Sequence, residues 1–263
     1  MVANVNIHHS AIIEDGAEIG EGTSGGPFCF VGSKVRLGQN VELKSHVVIK
    51  GHTHLGDENT VFPFAVLGEI PQDKKFNGES TSLKIGSRNQ IREHVTINVG
   101  TKGGGAITKV GNDGLFMAGC HIAHDSQVGD NVILVNNAAL AGHCIIEDNV
   151  IVGGLSGVHQ FVRVGEGAII GAVTMVTNDV IPYGLVQAPR GELDGLNLVG
   201  LKRKGVARAD IMALRAAFQT LSQGEGPFQD RAQKLTDDSD SKYVEKIVSF
   251  VLGHSDRSFL TPR

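Results

Sequence analysis

The chain has 263 residues, a formal net charge of −4 at pH 7, and 41% hydrophobic and 20% charged residues. That balance excludes a general nucleic-acid binder. No run of about 18 apolar residues is present, so no membrane span is expected. The opening MVANVNIHHS has the chemistry of neither a signal nor a transit peptide, so a cytoplasmic location is expected.

In chain order, every sixth residue from Ile7 is apolar or Gly: Ile7, Ile13, Ile19, Gly25, Val31, Leu37, then on to Leu67. The series resumes at Ile85, Ile91 and Ile97, and again from Val110 through Ile122, Leu140 and Val158 to Val176. A period of six suits neither an amphipathic helix nor an isolated hairpin stack; it is the period of a parallel β-helix of hexapeptides. Three hexads make one coil of a triangular prism, so residues three hexads apart stack. The first residue of each hexad points inward, as does the small or β-branched fifth. Gly at position two, as in Gly20, Gly38, Gly56 and Gly129, is expected to relieve the corner through positive φ.

The solenoid runs from Ile7 to Val180, with excursions expected over residues 68–84 and 98–109. Leu67 and Ile85 stand three hexads apart, the length of one coil, whereas the interval from Ile97 to Val110 is no multiple of six and shifts the register. Both excursions read as loops on a rigid scaffold, where binding residues collect. Beyond Pro182 the pattern becomes helical. Residues 208–222 put Ile211, Leu214, Phe218 and Leu221 on one face, and residues 240–252 do the same with Val244, Ile247, Val248 and Val251. The expected architecture is mainly β: a parallel β-helix over residues 1–190 followed by a small α-helical domain over residues 191–263.

Cys29, Cys120 and Cys144 are each fifth in a hexad, so all three should be small apolar fillers of the prism. The histidines carry more chemistry. His124, His143 and His159 belong to the hexads opening at Ile122, Leu140 and Val158, on one face of three consecutive coils, and His121 lies at the corner before them. Imidazole is suited to general-base work near neutrality. A zinc site needs its ring nitrogens at about 2.0–2.1 Å from one point. These residues occupy positions three, four and two, which spreads them along a lined cleft, so no metal is expected. Asp125 is placed to orient His124. Lys202, Arg203, Lys204 and Arg208 form a basic cluster suited to phosphates or an acidic protein partner. Asp73, Lys74 and Lys75 in the first excursion are expected to reach the same cleft. Gly103–Gly105 lacks the Lys and Ser/Thr of a phosphate loop and reads as a flexible tip.

The stretches GPFCFVG, LKSHVVI, GEIPQDKKFNGE, IAHDSQVG, NNAALAGH, VHQF and GLKRKG resemble the acyl-carrier-protein–UDP-N-acetylglucosamine O-acyltransferases of lipid A synthesis, over nearly the whole chain and in order. The resemblance implies a left-handed coil, against the general rule for parallel crossovers. It also implies a homotrimer with active sites between subunits, and transfer of a 3-hydroxyacyl group from acyl-carrier protein to the 3-hydroxyl of UDP-N-acetylglucosamine. No cofactor is implied beyond the carrier's own phosphopantetheine. By resemblance, His124 is the general base, Asp125 its support and Gly142 the backbone donor to the oxyanion. His143 lies near the acyl hydroxyl, and His121, His159, Gln160, Asp73 and Lys75 line the substrate cleft. Asn197 and Arg203 contact acyl-phosphopantetheine or nucleotide, and Ala172 stands at a position limiting acyl length. Asn98 stands where many members have His, Val199 where a nucleotide-contacting Glu is common, and Arg190 where His is common. Some members accept a 3-amino sugar analogue. Two other readings are a hexapeptide transferase with a different donor or acceptor, and a structural solenoid without catalysis.

Overall fold

The computed structural model describes residues 5–187, 192–236 and 240–262; Arg190 lies outside them. Among the described residues, the sheets contain 11, 9 and 8 strands, and along the solenoid each takes every third strand of the chain. This is a left-handed parallel β-helix. Successive coils pair in register: His121 and Ile122 lie beside Ala139 and Leu140, and these beside Gly157 and Val158. Backbone bonds between coils are near 3.0 Å, as from Ala123 N–H to the Leu140 carbonyl.

Counting by sixes assigns the interior correctly. Ile97, Ile122, Leu134 and Leu140 are completely buried, as are fifth-position Val132 and Ala138. Each large first-position side chain contributes about 1.5–3 kcal/mol through its removal from water. Cys29, Cys120 and Cys144 are buried and free, with their sulfurs against backbone carbonyls, as Cys120 Sγ is 3.3 Å from the Leu134 oxygen.

The glycine expectation is corrected. Along the regular coils positive φ falls at the fourth residue of the hexad, not the second: Asn40, Asn131, Asn149, Asp125, His143 and Phe161 all adopt it, and second-position Gly68, before the first excursion, is an exception. Asn and Asp tolerate this conformation best among residues with a side chain. Second-position glycines serve close approach between coils instead. A Cβ on Gly56 would lie 2.8 Å from Gly86 backbone, and one on Gly153 would lie 2.5 Å from the Ala172 nitrogen.

Both excursions are shorter than expected, because their flanks are strands. Val66–Glu69 and Ser82–Ile85 leave residues 70–81 outside the sheets, and Thr96–Asn98 and Ile107–Val110 leave residues 99–106. The stretch from Leu67 to Ile85 is not one coil, despite having the length of one. Leu67 pairs with Ile97 and Leu55 with Ile85, so this coil exceeds the regular three hexads and carries a true insertion.

At the C-terminal end of the solenoid, Gly184–Gln187 continues one sheet in parallel, and Glu192–Leu196 closes it as an antiparallel strand. Among the described residues, four α-helices follow: α1 (Leu198–Arg203), α2 (Arg208–Gln223), α3 (Phe228–Lys234) and α4 (Lys242–Leu252). Ile211, Leu214 and Leu221 of α2 and Val244, Ile247, Val248 and Val251 of α4 are buried as the pattern requires; Phe218 is half-buried, and Ala217 takes its place. The chain then returns to the solenoid, where Phe259 bridges to Asp179 and Pro262 to Leu193. No helix among the described residues is long and apolar enough to cross a membrane.

Candidate active site

Stacking of Ile122, Leu140 and Val158 puts His124, Gly142 and Gln160 in equivalent third positions on three consecutive coils. Asp125, His143 and Phe161 follow in fourth positions, with φ of 62°, 61° and 68°. That left-handed backbone turns each fourth side chain out at the corner, so these three also form a column.

The column meets His124. Its Nδ1 lies 2.8 Å from Asp125 Oδ2, in a dyad that is nearly closed to solvent. Asp125 is acceptor-only as a carboxylate, so Nδ1 is the donor in this contact, and in the neutral imidazole the lone pair is then on Nε2. His143 stands edge-on to His124 with ring centroids 5.1 Å apart, and its Nε2 is 3.7 Å from Asp125 Oδ2. Phe161 stacks on the His143 ring, with centroids 4.5 Å apart. Burial lowers the His143 pKa below the usual imidazole value, while the Asp125 charge opposes the shift. Burial likewise lowers that of His121, whose Nδ1 is 2.7 Å from Thr96 Oγ1.

The His124 ring lies over Gly142. A Cβ there would come within 2.5 Å of Cε1 and 2.7 Å of Nε2, so residue 142 must lack a side chain for the imidazole to occupy its place. Among the described residues the Gly142 N–H donates to no protein acceptor, which leaves it available to a ligand.

A groove of about 790 Å³ runs over this face. It contains His121, His124, Gly142, His159 and Gln160, and the first excursion closes one side with Gln72, Asp73, Lys74 and Lys75. Asp73 holds the backbone of that excursion by accepting the Lys75 N–H at 2.9 Å. Its apolar floor comprises Ala139, Leu140, Ala141, Val158 and Met175, which gives a flexible chain somewhere to lie. His159 Nδ1 is 3.2 Å from Arg257 Nη2 on the returning C-terminal segment.

Within one chain, Ala172, Asn197 and Arg203 lie outside this groove. Ala172 is exposed on a neighbouring face. Asn197 caps α1 by accepting the Gly200 N–H and donates to the Gly167 carbonyl, both at 2.9 Å. Arg203 ends α1, exposed, with Lys202 and Lys204 beside it and Arg208 at the start of α2. Val199 is exposed on α1. Asn98 is buried, its amide nitrogen 3.4 Å from the Glu69 carbonyl and its Oδ1 without a partner among the described residues. Sequence reasoning missed Thr96, Phe161 and Arg257. Only Phe161 left a trace, as the fourth residue of the hexad opening at Val158, in the column of Asp125 and His143.

His124, Asp125 and His143 offer ligand atoms within 4.8 Å of one another. Asp125 Oδ2 already accepts from His124 Nδ1, the His124 nitrogen nearest to it. A cation there would displace that proton and dismantle the dyad, so this set fits proton transfer better than metal binding.

Comparison with known proteins converges. A family profile described as UDP-N-acetylglucosamine O-acyltransferase, domain 2, matches residues 179–260. The acyl-(acyl-carrier-protein)–UDP-N-acetylglucosamine O-acyltransferase of Paracoccus denitrificans is 65% identical over 202 residues, 77% of each chain. The enzyme of that name from Rhizobium johnstonii is 45% identical over 98% of this chain and 96% of its own. The UDP-N-acetylglucosamine acyltransferase structure from Campylobacter jejuni superposes with a TM-score of 0.92 at 38% identity, covering 98% of this chain and all of that one.

Proposed function

Because the chain belongs to the acyl-(acyl-carrier-protein)–UDP-N-acetylglucosamine O-acyltransferase family and is an O-acyltransferase, we propose that it moves a 3-hydroxyacyl group from acyl-carrier protein to the 3-hydroxyl of UDP-N-acetylglucosamine with His124 as general base. The reading includes a cytoplasmic homotrimer in lipid A synthesis, in which Asn197, Arg203 and the adjoining basic residues of one subunit complete the groove of the next. The observation that carries it is the buried Asp125–His124 dyad, which engages Nδ1 and leaves Nε2 free of the carboxylate over Gly142 in the groove.

Nε2 takes the proton of the sugar hydroxyl as its oxygen attacks the thioester carbonyl. Asp125 stabilises the imidazolium that forms, and the Gly142 N–H is the donor for the tetrahedral oxyanion. Collapse breaks the carbon–sulfur bond, and the departing thiolate takes the proton back from His124. General-base catalysis of this kind contributes about 10²–10⁴-fold, and an oxyanion donor about 3–4 kcal/mol. The apolar floor suits the acyl chain. His143, His159 and Gln160 supply polar contacts, with Asp73 and Lys75 on the facing excursion.

The alternative acceptor is a 3-amino sugar nucleotide; Asn98 follows Thr96 and Ile97 on the coil paired with His121 and Ile122, its side chain buried outside the groove lining. A mass-spectrometric transfer assay offering both acceptors to a range of 3-hydroxyacyl-carrier-protein donors separates the two readings and assigns chain length. The base assignment requires His124→Ala to lose about 10²-fold or more in kcat with its fold intact; near wild-type turnover refutes it.

A further inference from the structure

The second excursion has a task of its own beside the dyad. It is hooked back on itself, since the N–H groups of Gly104 and Ala106 both donate to the Thr101 carbonyl, at 3.1 and 2.9 Å. This turn presents Thr101 to the Asp125 carboxylate with two donors. Its backbone N–H reaches Oδ1 at 2.8 Å, and its hydroxyl reaches Oδ2 at 2.6 Å. Oδ2 is the oxygen that also receives His124 Nδ1–H. The strand that follows the excursion, Ile107–Val110, holds the backbone of the same residue, because Thr108 Oγ1 accepts the Asp125 N–H at 2.8 Å.

The fit allows little slack. A methyl group on Gly104 would stand 2.1 Å from Asp125 Cγ, so the turn lies directly against the carboxyl. Thr101 is 7% exposed and Thr108 is completely buried, which leaves water little part in these bonds. Charge-assisted bonds of this length are about twice as strong as neutral ones. They fix both oxygens of a side chain whose own backbone sits at a φ of 62°.

We propose that Thr101 is a positioning residue of the acyl transfer: it locks the Asp125 carboxylate so that His124 presents Nε2, and no other ring atom, to the sugar hydroxyl. This rests on the assignment of His124 as base. The insertion that shifts the hexapeptide register is therefore retained for orientation, a role distinct from that of the first excursion, which lines the groove with side chains. Thr101 does not line the groove, and its contacts reach His124 through Asp125.

The test uses the intact protein with the carrier-bound thioester and UDP-N-acetylglucosamine. Thr101→Val keeps shape and removes the hydroxyl, and Thr101→Ser restores it. The expected result is a fall in kcat of about tenfold or more for Thr101→Val, with both KM values within about twofold of wild type, and recovery to within about threefold in Thr101→Ser. Thermal melting is followed for both variants. The clamp is overturned if Thr101→Val keeps kcat within about twofold of wild type, or if both variants lose activity in step with their melting temperature. His124→Ala belongs in the same series. If it is inactive while Thr101→Val is not, only the clamp fails; if it is fully active, the base assignment falls and takes the clamp with it.

Discussion

Gly142→Ala separates the geometry of the base from the stability of the fold. The residue lies outside the positive-φ region, so alanine meets no backbone strain. At such a site Gly→Ala stabilises a fold by about 0.4–1 kcal/mol through the unfolded chain. The new methyl would stand 2.5 Å from His124 Cε1, 2.7 Å from Nε2 and 3.1 Å from Nδ1. Ordinary carbon contacts lie near 3.5–4.0 Å, so the imidazole must retreat by about 1 Å. His143 and Asp125 bound the ring on the protein side, which leaves the groove as the way out. A shift of that size takes Nδ1 out of hydrogen-bond range of Asp125 Oδ2 and misaims Nε2. Misplacement by about 1 Å costs on the order of 10²-fold in rate. The backbone N–H survives the substitution, so the loss reports the imidazole and not the oxyanion donor. Expected, then, is a kcat about 10²-fold lower in the thioester transfer assay from a protein that stays folded at the assay temperature, its melting temperature lowered only modestly because the lost dyad bond, about 1.5–3 kcal/mol, outweighs the gain from the unfolded chain. A kcat within a few-fold of wild type would refute the account, as would a loss of activity that follows global unfolding.

Ile122→Asp places a carboxylate in a fully buried first position and should destabilise by about 4 kcal/mol or more; an unchanged urea midpoint would show that the inward assignment is wrong. Burial pushes the Cys120 thiol up to about 11 and the Cys144 thiol up to about 12, so neither should react with a maleimide at about pH 7.5 until the protein unfolds. Labelling of the folded protein, well below its melting temperature, counts against the buried placement. The lowered pKa values of His121 and His143 fix a sign for acid stability. As pH falls below about 6.5 the unfolded chain takes up these protons first, so stability present above that value is lost toward the lower folded pKa. His143→Gln should therefore lose less stability than wild type between about pH 7.5 and pH 5.5 in parallel urea titrations, and an identical slope would contradict the shift.

Much of the site was legible because a hexapeptide coil obeys a local rule. Ile122, Leu140 and Val158 name their own neighbours three hexads away, so the shared face of His124, His143 and His159 follows from counting alone. The same rule left Cys29, Cys120 and Cys144 inside and out of the chemistry. It misleads where a residue preference has two physical causes. Second-position glycines invite the left-handed φ that belongs to Asp125, His143 and Phe161 two places on, since a preference for Gly signals close packing as well as backbone freedom.

Residue order by itself determined the solenoid, its inside and outside, and the face shared by His124, His143 and His159, because each depends on contacts repeated at one spacing. Tertiary structure alone decided the rest. Thr101 meets Asp125 across 24 residues and Arg257 meets His159 across 98, separations that no multiple of the coil period predicts. These contacts form only after the coils have stacked and brought loop and tail to the same edge. Residues 70–81 likewise acquire their place over the groove from the insertion that lengthens one coil, a displacement with no counterpart in the repeat.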